Sequence, residues 1–253
     1  WAAYPDFGII KDLDKAYLRP GNLEIFRDSM AAHGLLEKNK EFANASGKFQ
    51  LAAYKEEIEA NLRTPELGGF QLLGLHDYLG QGTAFVGLLD ALWRPKSYVN
   101  EDDFKEFCNT TVPLARLSQR IYTTAERFDA EIELAHFGAE PMDNAAVAWN
   151  IDGNSRLKGQ WPTRTYNIGK NIPVGHITLD LAKVGSGNHT LTVTIAPATM
   201  FDSLTGQIRP GPDAVKGKTY FENHWKFWVY PDAVPDEYRG SPECPLSRVR
   251  DIF

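Results

Sequence analysis

The chain has 253 residues, 43% hydrophobic, 12% aromatic and 24% charged, enough apolar material for one large core or two ordinary ones. A net charge of -6 and a pI near 5.6, with 27 Lys and Arg scattered along the chain, exclude the clustered basic face that nucleic acids require. No run approaches the roughly 18 consecutive apolar residues of a membrane helix.

The start, Trp1-Ala-Ala-Tyr-Pro-Asp-Phe, has no basic region ahead of an apolar one and no Met, so the chain reads as a fragment cut from a longer folded protein. Asn22 is read as the N-cap of a helix over 22–33 that carries Leu23, Phe26 and Met30 on one stripe and closes at Gly34. A second helical run follows over 36–46. Gly47 is read as interrupting it before a third run, 49–63, with Leu51, Tyr54, Ile58 and Leu62 in line and Thr64-Pro65 as its stop. The period then changes: residues 69–75, Gly-Phe-Gln-Leu-Leu-Gly-Leu, read as a strand buried on both faces of a parallel sheet, with His76 to Thr83 as its polar exit loop.

Helical periodicity ends near Val112. Beyond it Phe128 to His136 and Thr190 to Ile195 alternate apolar and polar residues, and 146–151, 176–181 and 225–230 read as further short strands separated by turns such as Asp152-Gly-Asn. About seven short strands over roughly 120 residues predict an antiparallel β-sandwich. The two cysteines, Cys108 and Cys244, are too few for a disulfide framework and lack metal-type spacing, which leaves a single bridge between them open.

Residues 69–83, with Leu18-Arg-Pro-Gly-Asn-Leu-Glu-Ile-Phe-Arg-Asp, Ala45-Ser-Gly, the run from Tyr54 to Pro65 and Phe227-Trp-Val-Tyr-Pro, resemble β-galactosidase-like members of glycoside hydrolase family 2. The resemblance implies an α/β plus all-β chain: the end of a (β/α)8 (TIM) barrel over 1–112 with strand eight at Phe70 to Leu75, an immunoglobulin-like sandwich over 113–232, and an irregular tail over 233–253. It implies a retaining exo-glycosidase that releases terminal sugars. Both catalytic glutamates would lie ahead of Trp1, so this chain would be inactive alone and would work with the remainder of its parent polypeptide. A carbohydrate substrate, no cofactor, no metal, no nucleic acid, no membrane and a periplasmic or secreted location complete that expectation. The alternative is a non-catalytic carbohydrate-binding or structural module.

Retaining hydrolysis needs two carboxyl groups roughly 5 to 5.5 Å apart. Asp77, the one carboxylate at the proposed strand exit, is a weak catalytic candidate, because no second glutamate stands at an equivalent exit. His76 and Asp77 are candidates to bind sugar hydroxyls, the plainer alternative being that they only tie the loop down. Tyr78 and Gln81 share that loop as candidate ring and amide contacts. Trp1 and Tyr4 become pocket residues if the resemblance aligns them after the nucleophile strand. The Lys55 to Glu59 cluster reads as a solvated helix face. The six histidines are dispersed with no i, i+4 pair, and Asn109-Thr-Thr and Asn188-His-Thr match the glycosylation pattern.

Overall fold

The computed structural model describes residues 3–13, 19–78, 85–198 and 220–232. The chain divides into two compact units, Trp1–Thr110 and Thr111–Phe253. Trp1, Gln81, Cys244 and the tail over 233–253 lie outside the described residues.

The first unit is helical. A 3-10 turn at Phe7–Ile9, opened by the Asp6 carboxylate accepting the Gly8 N–H at 2.8 Å, leads into α1 (Ile10–Leu13), then α2 (Gly21–Ala32), α3 (Asn39–Arg63) and the short α4 (Glu101–Lys105). α4 starts on a reciprocal capping box between Asn100 and Asp103, which satisfies two amides that a helix start leaves unpaired. Leu23 and Met30 of α2 pack with Phe7, Leu13 and Phe85, while Tyr54 and Ile58 of α3 pack with Leu88 and Phe107. Asn22 is not the cap of α2. Pro20 holds that place without a side-chain bond, and the Asn22 amide nitrogen is buried with no partner among the described residues. Gly47 does not break the helix either. α3 runs through it, and the glycine serves another end: a side chain there would overlap the ring of Tyr98, so its absence leaves the ring its seat.

The expected barrel end is corrected. Among the described residues of this unit there is no β-strand; single bridges join His76 to Leu89 and Leu89 to Pro95. The segment expected as strand eight is irregular and open to solvent, with Phe70 at 40%, Leu73 at 100% and Leu75 at 45% exposure. A strand inside a parallel sheet needs hydrogen-bonding neighbours on both sides and cover on both faces. This apolar run has neither. The solvated face predicted for Lys55 to Glu59 is corrected as well: Glu56 and Glu57 are exposed, but Glu59 is fully buried and clamped by Lys55 at 2.7 Å and Arg63 at 3.0 Å.

The second unit is a β-sandwich. Its strands are β1 (Thr111–Leu117), β2 (Ile121–Thr123), β3 (Arg127–His136), β4 (Met142–Ile151), β5 (Lys158–Gln160), β6 (Arg164–Tyr166), β7 (Gly169–Asp180), β8 (Gly187–Pro197) and β9 (Phe221–Tyr230), with a helical turn, α5 (Leu181–Val184), after β7. One sheet has the order β1-β3-β7, and the other β2-β9-β8-β4-β5 with β6 also on β4. Phe128, Ile132 and Leu134 from the first sheet meet Val147, Val193, Trp225 and Phe227 from the second in one core. The two faces of β3 are buried unequally along its length. Its first half alternates, but from Ile132 to His136 every residue is buried, Glu133 and His136 included.

Asp152 and Gly153 take left-handed φ values of 53° and 66° to turn the chain after β4, and the Asp152 carboxylate holds the turn by accepting the Thr190 N–H at 2.7 Å and pairing with His189 at 2.6 Å. On the side of the sandwich, the indole of Trp161 lies over Gly175 so closely that a Cβ there would enter the ring, and the Arg164 guanidinium donates to the Pro173 carbonyl.

Candidate functional site: a charged cavity in the helical unit

A cavity of about 360 Å³ opens in the first unit. Its polar wall is set by residues that the chain brings together from four places: Tyr4, Asp12, Asp77 and the segment Asp90 to Lys96. Tyr4 is placed by its backbone. Its N–H donates to Ser46 Oγ at 2.7 Å, and the segment after it is pinned by buried Asn39, which donates to the Pro5 carbonyl at 2.8 Å and accepts the Phe7 N–H at 3.0 Å. The Tyr4 ring meets Phe7 and Phe42 edge-on and stays 40% exposed.

Asp77 is 7% exposed, and its Oδ1 takes two bonds, from Lys96 Nζ at 2.8 Å and from the Gly87 N–H at 3.1 Å; Oδ2 accepts none from the described residues. Burial pushes the Asp77 carboxyl above the ordinary carboxylate value against the pull of Lys96, and burial pushes the Lys96 ammonium below its ordinary value against the pull of Asp77. Both directions say the same thing: removal from water outweighs the attraction for each partner. Gly87 permits this contact, since a side chain on it would stand 2.5 Å from the Asp77 nitrogen.

The second charged group is more open. The Arg94 guanidinium pairs with Asp90 at 2.7 Å and with Asp12 at 2.6 Å. Burial alone would raise the Asp90 carboxyl, but the Arg94 N–H and side chain, together with the Leu92 N–H, hold it below the ordinary range. Tyr98 completes the wall. Its hydroxyl donates to the Gln50 side-chain oxygen, and burial, then the charge of Asp77, holds its proton well above the usual phenol range, so it is a donor and not a base.

Of the residues singled out from sequence, Tyr4 and Asp77 line this cavity together, while His76 and Tyr78 do not. His76 stacks on Trp93, with ring centroids 4.2 Å apart and planes at 23°, and Tyr78 is 59% exposed. Lys96, Arg94, Asp90, Asp12 and Tyr98 were not singled out. Only the Asp90 and Arg94 pair, four residues apart, carries a local signal; Asp12 meets Arg94 across 82 positions, which no spacing reveals. Cys108 is a half-buried free thiol raised by burial, hence a poor nucleophile. Among the described residues no group of His, Cys, Asp and Glu is placed to hold a metal ion, and no helix is long and apolar enough to cross a membrane.

A family model described as a domain of unknown function (DUF8488) matches residues 126–231. No curated protein matches the chain. Similar solved structures include the CARDB domain of a Pyrococcus furiosus protein in complex with di-metal ions, at 11% identity over 48% of this chain and 94% of that one with a TM-score of 0.35. They also include the superoxide reductase (neelaredoxin) from Ignicoccus hospitalis, at 11% identity over 46% and 79% with a TM-score of 0.25, and the sporulation control protein Spo0M from Bacillus subtilis, at 11% over 51% of each chain with a TM-score of 0.27. The resemblance to glycoside hydrolase family 2 is corrected accordingly. The matching family is DUF8488, and the segment that carried the resemblance most strongly forms no barrel strand.

Proposed function

We propose that the chain is a non-catalytic carbohydrate-binding module whose helical unit holds one sugar residue in the 360 Å³ cavity. The volume lies at the small end of the roughly 300 to 1,000 Å³ typical of ligand sites, a size for a single ring. The observation that carries the reading is the composition of the wall: four carboxylates, two cations and the rings of Tyr4, Phe85 and Tyr98 around one small space. Neighbouring hydroxyls of a sugar need acceptors and donors side by side, and its apolar face suits an aromatic ring. Three of the four carboxylates are matched to a cation, Asp77 to Lys96 and both Asp12 and Asp90 to Arg94, while Asp6 accepts the Gly8 N–H. Such an arrangement receives hydroxyl protons as hydrogen bonds without transferring them, so it supports binding over cleavage.

Calorimetric titration of the whole chain with a panel of hexoses, N-acetylhexosamines and uronic acids tests this. At least one sugar should bind saturably with a Kd of about 1 mM or tighter, and Arg94→Gln, at an open position where folding is not at stake, should weaken it about tenfold. Absence of heat from every sugar on the panel would remove the proposal.

A further inference from the structure

Trp93 stands next to the cavity without lining it, while its neighbours Ala91 and Arg94 do line it. It takes a φ of 65°, in the left-handed region that a bulky residue rarely enters. The turn around it is over-determined. The Asp90 N–H donates to the Arg94 carbonyl at 2.8 Å, the Trp93 N–H donates to the Asp90 carbonyl at 2.9 Å, and the Asp90 carboxylate accepts the N–H groups of Leu92 at 2.8 Å and Arg94 at 3.0 Å. One face of the indole rests on the His76 imidazole, yet the residue is 59% exposed. Burying the ring would relieve the contact of a large apolar side chain with water, and a glycine would relieve the backbone. Neither occurs. Backbone strain held in place by surrounding bonds, at a residue whose ring is presented rigidly to solvent beside a cavity, is the pattern of a binding platform.

We propose that Trp93, backed by His76, is a stacking platform for a second sugar ring, so that the ligand is an oligosaccharide whose terminal unit enters the cavity and whose next unit lies on the indole. This rests on the carbohydrate reading of the cavity. The flat indole offers its free face to the apolar C–H side of a pyranose, and its stack on His76 orders the ring ahead of binding, which lessens the side-chain freedom lost. Arg94 joins the two places: its backbone closes the turn that presents Trp93, and its guanidinium stands in the cavity wall.

The test is titration of the whole chain with a monosaccharide and with the di- and trisaccharides built on it, against Trp93→Phe and Trp93→Gly. Glycine suits the left-handed backbone, so Trp93→Gly should keep or raise the unfolding temperature while it removes the ring. In the unaltered chain the disaccharide should bind about tenfold tighter than the monosaccharide. Trp93→Gly should abolish that increment and leave monosaccharide affinity unchanged, and Trp93→Phe should keep most of it. Equal affinity for one and two rings, or an increment that survives Trp93→Gly, overturns the platform and leaves the cavity reading standing. Failure of every saccharide to bind overturns both.

Discussion

Replacing Lys96 by Met removes the cation beside Asp77 and keeps much of the side-chain volume. Asp77 is 7% exposed, with Oδ1 2.8 Å from Lys96 Nζ. At an effective dielectric of about 20 such a contact is worth about 6 kcal/mol of attraction. Burial nonetheless moves Asp77 up and Lys96 down, so the loss of hydration on the two sides outweighs it. The intact pair therefore contributes no net stability, whereas removing Lys96 leaves a buried carboxylate supported by the Gly87 N–H alone, a loss of about 3 to 5 kcal/mol.

The sign with pH follows from the direction of the Asp77 shift. A carboxyl group whose folded pKa lies above the unfolded value of about 3.9 favours the fold when protonated; that contribution is whole below the unfolded value and is lost as pH rises through the folded one. The deficit of Lys96→Met is then largest at pH 7 and falls below about 1 kcal/mol at pH 4. Hydrogen exchange of the whole chain, corrected for intrinsic rates, reads it locally at the Asp77 and Leu88 amides, which are bonded to the carbonyls of Leu89 at 3.1 Å and Leu75 at 3.0 Å. A deficit under about 1 kcal/mol at pH 7, or one equal at the two pH values, refutes the buried pair.

Two further substitutions probe the same unit. Gly87→Ala places a methyl group 2.5 Å from the backbone of His76 and Asp77, which cannot move aside, so a loss of about 3 kcal/mol or more and faster exchange at Asp77 are expected; unaltered thermal unfolding would contradict that close approach. Glu59→Ala leaves Lys55 and Arg63, with side chains 15% and 17% exposed, facing each other without their carboxylate, at a cost of about 3 to 5 kcal/mol by urea unfolding, and Glu59→Gln should cost less. Equal stability of all three chains would mean that Glu59 is solvated after all.

The strands of the sandwich were legible because alternation survives wherever one face is wet: Leu191, Val193 and Ile195 point into the core and Thr190 and Thr192 do not. The helical run ending at Arg63 was legible from its stripe and its Thr64-Pro65 stop, whereas Gly47 misled, since glycine marks a helix break and a seat for a neighbouring ring with the same letter. Leu72 to Leu75 misled for a related reason. An apolar run states that a segment is greasy, not that partners exist to cover it. Glu59 was hidden because its burial depends on what α3 packs against, and Phe107, over which Lys55 lies, is 52 positions from Lys55 along the chain. The cavity itself was half legible. Tyr4 and Asp77 announce themselves as an aromatic and a carboxylate beside loops, but the cations that complete the wall are ordinary residues until folding sets them there.

The Trp161 and Arg164 arm on the side of the sandwich bears on the rim of the β1-β3-β7 sheet. Among the described residues β7 is the outer strand of its sheet, and an outer strand offers unpaired amides and carbonyls on which another chain can build. Here Pro173 has no amide to offer, its carbonyl is occupied by Arg164, and the indole of Trp161 sits over Gly175 two residues further on. The missing side chain of Gly175 thus lets one sheet shield the rim of the other, which hinders strand addition along β7 at Pro173 and Gly175.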